Sequence, residues 1–126
     1  MSDERKVVPP RKGLLHLVDA AGYSLQGLRR LMRESAARHE VLAGLLGVAA
    51  LGLRGASLGQ IITFGMLILA LLAVEALNTA LEEVVDHLSP GWSEMAKNAK
   101  DLGSLAVGLV VVIVGVQFGW AMLCPA

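Results

Sequence analysis

The chain has 126 residues, of which 55% are hydrophobic and 17% charged; its formal net charge is zero and its mean hydropathy +0.62. A soluble domain of this length cannot bury so much apolar surface, so the composition points to an integral membrane protein, and no nucleic-acid partner is expected. One cysteine, Cys124, excludes an internal disulfide and a zinc cluster.

Residues 1–13 are charged and broken by Pro9 and Pro10. They lack the apolar core of a cleavable signal and read as a disordered tail. From residue 14 to 38, Leu14, Leu17, Val18, Ala21, Leu25, Leu28, Leu31 and Met32 recur at helical spacing, with Arg29, Arg30, Arg33 and Arg38 among them. Gly22 and Gly27 are expected to break this stretch into two short helices. A basic amphipathic helix of this kind reads as lying on a membrane surface rich in anionic lipid.

Three membrane helices follow, at about 39–54, 58–86 and 102–123. The first is the weakest, because only thirteen apolar residues separate Glu40 from Arg54 and a crossing needs about 20. It must recruit the apolar side of residues 34–40, with Arg38 and Arg54 snorkelling. That carries Glu34 and Glu40 to the membrane edge. The second ends at Ser89-Pro90-Gly91. A polar segment, Trp92 to Asp101, leads into the third, where Gly115 and Gly119 stand at the GxxxG spacing that permits close helix contact.

The second helix carries an unusual passage. The apolar run Met66 to Val74 passes directly into Glu75-Ala76-Leu77-Asn78-Thr79-Ala80-Leu81-Glu82-Glu83-Val84-Val85-Asp86. At about 100° per residue, Glu75, Asn78, Thr79, Glu82 and Asp86 share one sector of the helix. A solvated helix end accounts for Glu83 and Asp86. It does not account for Glu75, Asn78 and Glu82 aligned on one face, since a carboxylate at membrane depth costs several kcal/mol unless paired, protonated or wetted.

Ten of the eleven Lys and Arg fall on one side if the N-terminus is cytoplasmic, as the positive-inside rule expects. Glu34, Glu40, Glu75, Asn78, Glu82, Asp86, Lys100 and Asp101 then gather at the cytoplasmic face. Magnesium binds through one or two carboxylates plus substrate phosphates, which suits Glu34 and Glu82. Glu75 is placed to accept a proton from a hydroxyl, and partial burial improves it as a base. Lys100 neutralises phosphate charge. Together these groups suit phosphoryl transfer to a lipid alcohol. No Walker A motif and no GxGxxG opening a helix is present.

The same residues carry a resemblance. The passage from Glu75 to Asp86 fits the pattern E-x-[hydrophobic]-N-[ST]-A-[hydrophobic]-E-x-x-V-D, and three further pieces agree: Ala20-Ala21-Gly22-Tyr23-Ser24, Glu34 through Arg38 to Glu40 as E-x-x-x-R-x-E, and Ala99-Lys100-Asp101-x-Gly103-Ser104. From about Ala20 to Ser104 the chain resembles the prokaryotic diacylglycerol kinases, small integral membrane enzymes of the bacterial inner membrane. The resemblance implies an all-α homotrimer of three-span subunits with surface helices and shared active sites. It implies transfer of the ATP γ-phosphate to the free hydroxyl of diacylglycerol, giving phosphatidic acid. By the same resemblance Glu75 is the base, Glu34 and Glu82 hold the Mg2+ bound to ATP, and Asn78 orients the site. Tyr23, Gly91, Ser93, Lys100 and Asp101 then serve the nucleotide, and Arg38 and Ser104 line the lipid side with Glu75. This sequence departs from the family at His16 and Asp19, where basic residues are common, and at Ser93, where His often stands.

The nearest rival is an undecaprenol kinase on the same scaffold. A proton or cation pathway is a different class, but the seam stops at Glu75 and Met66 to Val74 offers nothing to continue it. A purely structural membrane scaffold needs none of these acids at one face. His16, His39 and His87 share no ligand spacing, and Met66, Met95 and Met122 read as packing.

Overall fold

A run of apolar residues in lipid must satisfy its own backbone, and a helix does so locally. The computed structural model describes residues 9–125 and contains four helices: α1 (Leu14–Leu31), α2 (Ser35–Arg54), α3 (Leu58–Leu88) and α4 (Glu94–Leu123). No strand occurs among the described residues. The fold is all-α, and α2, α3 and α4 are each long and apolar enough to cross a membrane. Most of the expected N-terminal tail, residues 1–8, lies outside the described residues. The chain divides into two compact units, one through Arg30 and one from Leu31 onward.

In the first unit, α1 is one continuous helix, not two. Gly22 and Gly27 do not break it, because an isolated glycine costs a helix only about 1 kcal/mol and no Pro reinforces it. Leu14, Leu17, Val18, Leu25 and Leu28 are all exposed on it. Arg11 makes a two-pronged ion pair with Asp19, so Asp19 ties the preceding segment to the helix.

In the second unit, the helix boundaries differ from those the sequence suggests. The break expected within 14–38 comes at Met32–Glu34, and α2 starts at Ser35 rather than near residue 39. The physical cause is visible at Arg38, which donates from Nη1 to the carbonyls of Met32 (3.1 Å) and Arg33 (2.8 Å) and so closes the turn. Helix α4 starts at Glu94, so most of the polar segment is its first turns. Ser93 begins it by accepting from the Ala96 amide at 3.1 Å.

The α2–α3 turn is self-contained. Gly55 adopts φ 81°, and its amide and that of Ala56 bond back to Gly52 and Leu51. Ser57 and Gln60 then form a reciprocal capping box. The same Gln60 side chain donates from Nε2 to the Cys124 carbonyl at 2.9 Å, and Arg54 donates from Nε to the Met122 carbonyl at 3.0 Å. Arg54 therefore closes the end of α4 instead of merely snorkelling. Gln117 donates from Nε2 to the Gln60 carbonyl at 3.1 Å.

The core sits near this end. Leu51, Phe64 and Ala121 are its buried centre, with the Phe64 and Phe118 rings 5.4 Å apart. Close packing of α2 on α3 depends on Gly44 and Gly47. A Cβ on Gly47 would strike the Phe64 ring, and one on Gly44 would come within 2.9 Å of Ile68 Cγ2. The GxxxG pair does not act this way inside the chain: a Cβ on Gly115 or Gly119 meets nothing within 4 Å. Gly115 instead lines an apolar cleft of about 440 Å³ among the three helices, with Gly47, Phe64 and Phe118. Helix α4 buries only Ala96 and Ala121, so most of its apolar surface is left for lipid or another chain.

Candidate active site

The site is built around α3 at the end remote from the core. Helical periodicity turns Glu75 inward directly after the apolar run, and only 7% of it is exposed. One turn later Thr79 is also buried and Asn78 is half-buried, whereas Glu82 and Asp86 are exposed. The polar seam therefore starts inside the bundle and emerges from it.

Helix α2 brings its acids to the same place. Glu75 lies within electrostatic range of Glu82 and Glu34, and Glu40 within range of Glu75. Glu34 holds the extended position before α2, at φ −75° and ψ 132°, and its side chain does not cap that helix. Asn78 donates from Nδ2 to Glu82 Oε1 at 3.2 Å. Two acceptors here, Glu40 Oε2 and Asn78 Oδ1, are buried without a hydrogen-bond partner. Sequence reasoning assigned Glu40 no role. Its signal was its place in E-x-x-x-R-x-E, but only the packing of α2 on α3 sets it beside Glu75.

The α3–α4 connection supplies the basic groups. Lys100 pairs with Asp86 at 2.5 Å and Lys97 with Asp101 at 2.6 Å. Ser89 and Ser93 share a hydroxyl hydrogen bond of 2.8 Å. Asp86, Gly91, Trp92, Ser93, Lys97 and Lys100 line one cavity of about 220 Å³, so three expected nucleotide residues, Gly91, Ser93 and Lys100, come together. Asp101 is exposed and engaged by Lys97. Ser104 is exposed on α4, and Arg38 is exposed while closing its turn. Tyr23 lies on α1 in the first unit, where it shares a cavity of about 240 Å³ with Pro9, Pro10, Arg11, His16 and Asp19.

The donor set suits a hard cation. It consists of carboxylate and amide oxygens, and clustered like charges with an unpaired buried oxygen favour a bound divalent ion. No three His, Cys, Asp or Glu side chains among the described residues converge closely enough to hold a metal alone.

Comparison with known proteins shows which family the chain resembles. The family model described as prokaryotic diacylglycerol kinase matches residues 22–122. A diacylglycerol kinase of Sinorhizobium sp is 44% identical over 116 residues, spanning 92% of this chain and 85% of the relative. The diacylglycerol kinase of Escherichia coli strain K12 is 38% identical over 113 residues, covering 88% and 90% respectively. That of Haemophilus influenzae is 36% identical over 108 residues, covering 85% and 92%.

Proposed function

Because this chain belongs to the prokaryotic diacylglycerol kinase family, we propose that it transfers the γ-phosphoryl group of Mg-ATP to the free hydroxyl of a diacylglycerol, giving phosphatidic acid and ADP. The observation that carries this reading is the buried Glu75, set at the end of an apolar run with Glu34, Glu40 and Glu82 around it. A lipid hydroxyl reaches that depth and a polyphosphate reaches the exposed side.

In the reaction, Glu75 takes the hydroxyl proton as the hydroxyl oxygen forms its bond to the γ-phosphorus. The bond from that phosphorus to the β–γ bridging oxygen breaks, and ADP leaves with the electron pair. Glu34 and Glu82 would hold the magnesium ion, which would neutralise phosphate charge. Asn78 steadies Glu82 through its amide. Lys100 meets phosphate by exchanging Asp86 for it, and Tyr23, Gly91, Ser93 and Asp101 serve the nucleotide. Arg38 and Ser104 face the lipid.

The assembly is a homotrimer in the bacterial inner membrane, with the N-terminus and the active site on the cytoplasmic side. The charge distribution supports that orientation, and the largely uncovered α4 supports association.

The test is a side-by-side assay in mixed micelles with Mg-ATP and either diacylglycerol or undecaprenol. Phosphatidic acid is the expected product, and chelation of divalent metal should stop its formation. Preference for undecaprenol would replace the substrate assignment. Phosphorylation of neither would end the kinase reading.

A further inference from the structure

The place where α4 touches the acidic seam is Gly103. An ideal Cβ on Gly103 would fall on Asn78 Oδ1, and would lie 3.3 Å from Asn78 Cγ and 3.2 Å from Leu81 Cδ2. The Asn78 carboxamide thus occupies the space where every other residue type at 103 carries a side chain. Gly108, Gly115 and Gly119 on the same helix have nothing within 4 Å of such a Cβ. A small residue at 103 therefore answers a local demand, not a general one of α4.

Two observations tie that contact to the site. Asn78 Oδ1 is buried and has no hydrogen-bond partner, so packing, with the side-chain-free Gly103 against it, and not a hydrogen bond holds that end of the amide. The other end donates from Nδ2 to Glu82 Oε1 at 3.2 Å. The carboxamide is planar, so pushing Oδ1 aside swings Nδ2 away from Glu82.

We propose that Gly103 is a positioning residue: the empty space it leaves fixes the carboxamide of Asn78, and Asn78 in turn aims the carboxylate of Glu82. The proposal rests on the reading that Glu82 holds the nucleotide-bound cation. Partners of ligating carboxylates typically change metal affinity by about 10–100-fold when lost. Gly103→Ala should therefore raise the half-saturating Mg2+ concentration about tenfold and leave the KM for diacylglycerol unchanged. Gly108→Ala, with open space at its Cβ, should leave both within about twofold.

A double-mutant cycle with Asn78→Ala decides whether Gly103 acts through Asn78. It reads Mg2+ dependence and resistance to unfolding in mixed micelles. If Gly103 acts through Asn78, Gly103→Ala has no further effect on either once Asn78 is truncated. If Gly103→Ala alone does not fold, the double variant should fold, since the obstructing amide is gone. Equal losses in both backgrounds, or a double variant that also fails to fold, would overturn the proposal. Glu82→Gln separates the two readings. If it raises the half-saturating Mg2+ concentration while Gly103→Ala does not, the positioning role falls and the metal assignment stands. If Glu82→Gln leaves Mg2+ dependence unchanged, both fall.

Discussion

The two ends of the three-helix unit handle polar groups in opposite ways. At the α2–α3 turn, Arg54 and Gln60 reach the last carbonyls of α4, Ser57 and Gln60 cap each other, and Gln117 donates to the Gln60 carbonyl. Apart from Gln117 Oε1, no buried side-chain N or O atom among the described residues at that end lacks a partner, and the buried core lies alongside. At the other end, like charges stand together, and Glu40 Oε2 and Asn78 Oδ1 are buried without partners. Burying unpaired polar atoms destabilises a fold, so two of them beside the clustered acids fit the proposed active site, where function is bought with stability.

Mutations at the two ends should therefore separate activity from stability. The largest effect is expected from Glu75→Gln, which keeps the shape and removes the proposed base. Turnover should fall by about 10²–10⁴-fold, while Mg-ATP binding and resistance to unfolding stay near those of the parent. Near-normal turnover in that variant would remove Glu75 from the base role and weaken the contrast between the ends.

Leu51→Ala should act in the reverse sense. Leu51 is fully buried in the core, and truncation should lower unfolding resistance by roughly 2 kcal/mol, because a packing void remains even where lipid reduces the transfer term. The KM for Mg-ATP should not change in material that stays folded. Lys100→Ala belongs to the acidic end and, on the proposed nucleotide role of this lysine, should raise the KM for Mg-ATP about tenfold through loss of a charge-assisted phosphate contact. A shift confined to the lipid KM would reassign that lysine. Arg54→Ala is the mildest: losing the bond to Met122 should cost about 1 kcal/mol in unfolding and leave kcat within experimental error.

How far the sequence could be read depended on the range of each interaction. The all-α architecture and the three spans were legible because a lipid-crossing helix declares itself by length and apolarity. The seam from Glu75 to Asp86 was legible because it lies on one helix with one period. The turn at Met32–Glu34 was not, since it depends on Arg38 reaching back to two carbonyls. Nor was the part played by Arg54, whose partner is a backbone oxygen 68 residues away. Glycines were the least transparent. Gly115 and Gly119 match a contact spacing without a close approach in this chain, whereas Gly44, Gly47 and Gly103 do approach a neighbour closely. What a missing side chain accomplishes depends on its neighbour, and spacing alone does not name that neighbour.

The closed turn between α2 and α3 bears on the order of assembly. Its backbone and caps are complete using residues 51–60 alone, so this hairpin can enter a bilayer while the remainder of the chain is still on the ribosome. When the last helix arrives, Arg54 and Gln60 are already in place to receive its end. Asn78 acquires its wall only then, when Gly103 comes alongside. A chain lacking α4 would therefore keep a complete α2–α3 turn but leave Asn78 without the neighbour that Gly103 provides.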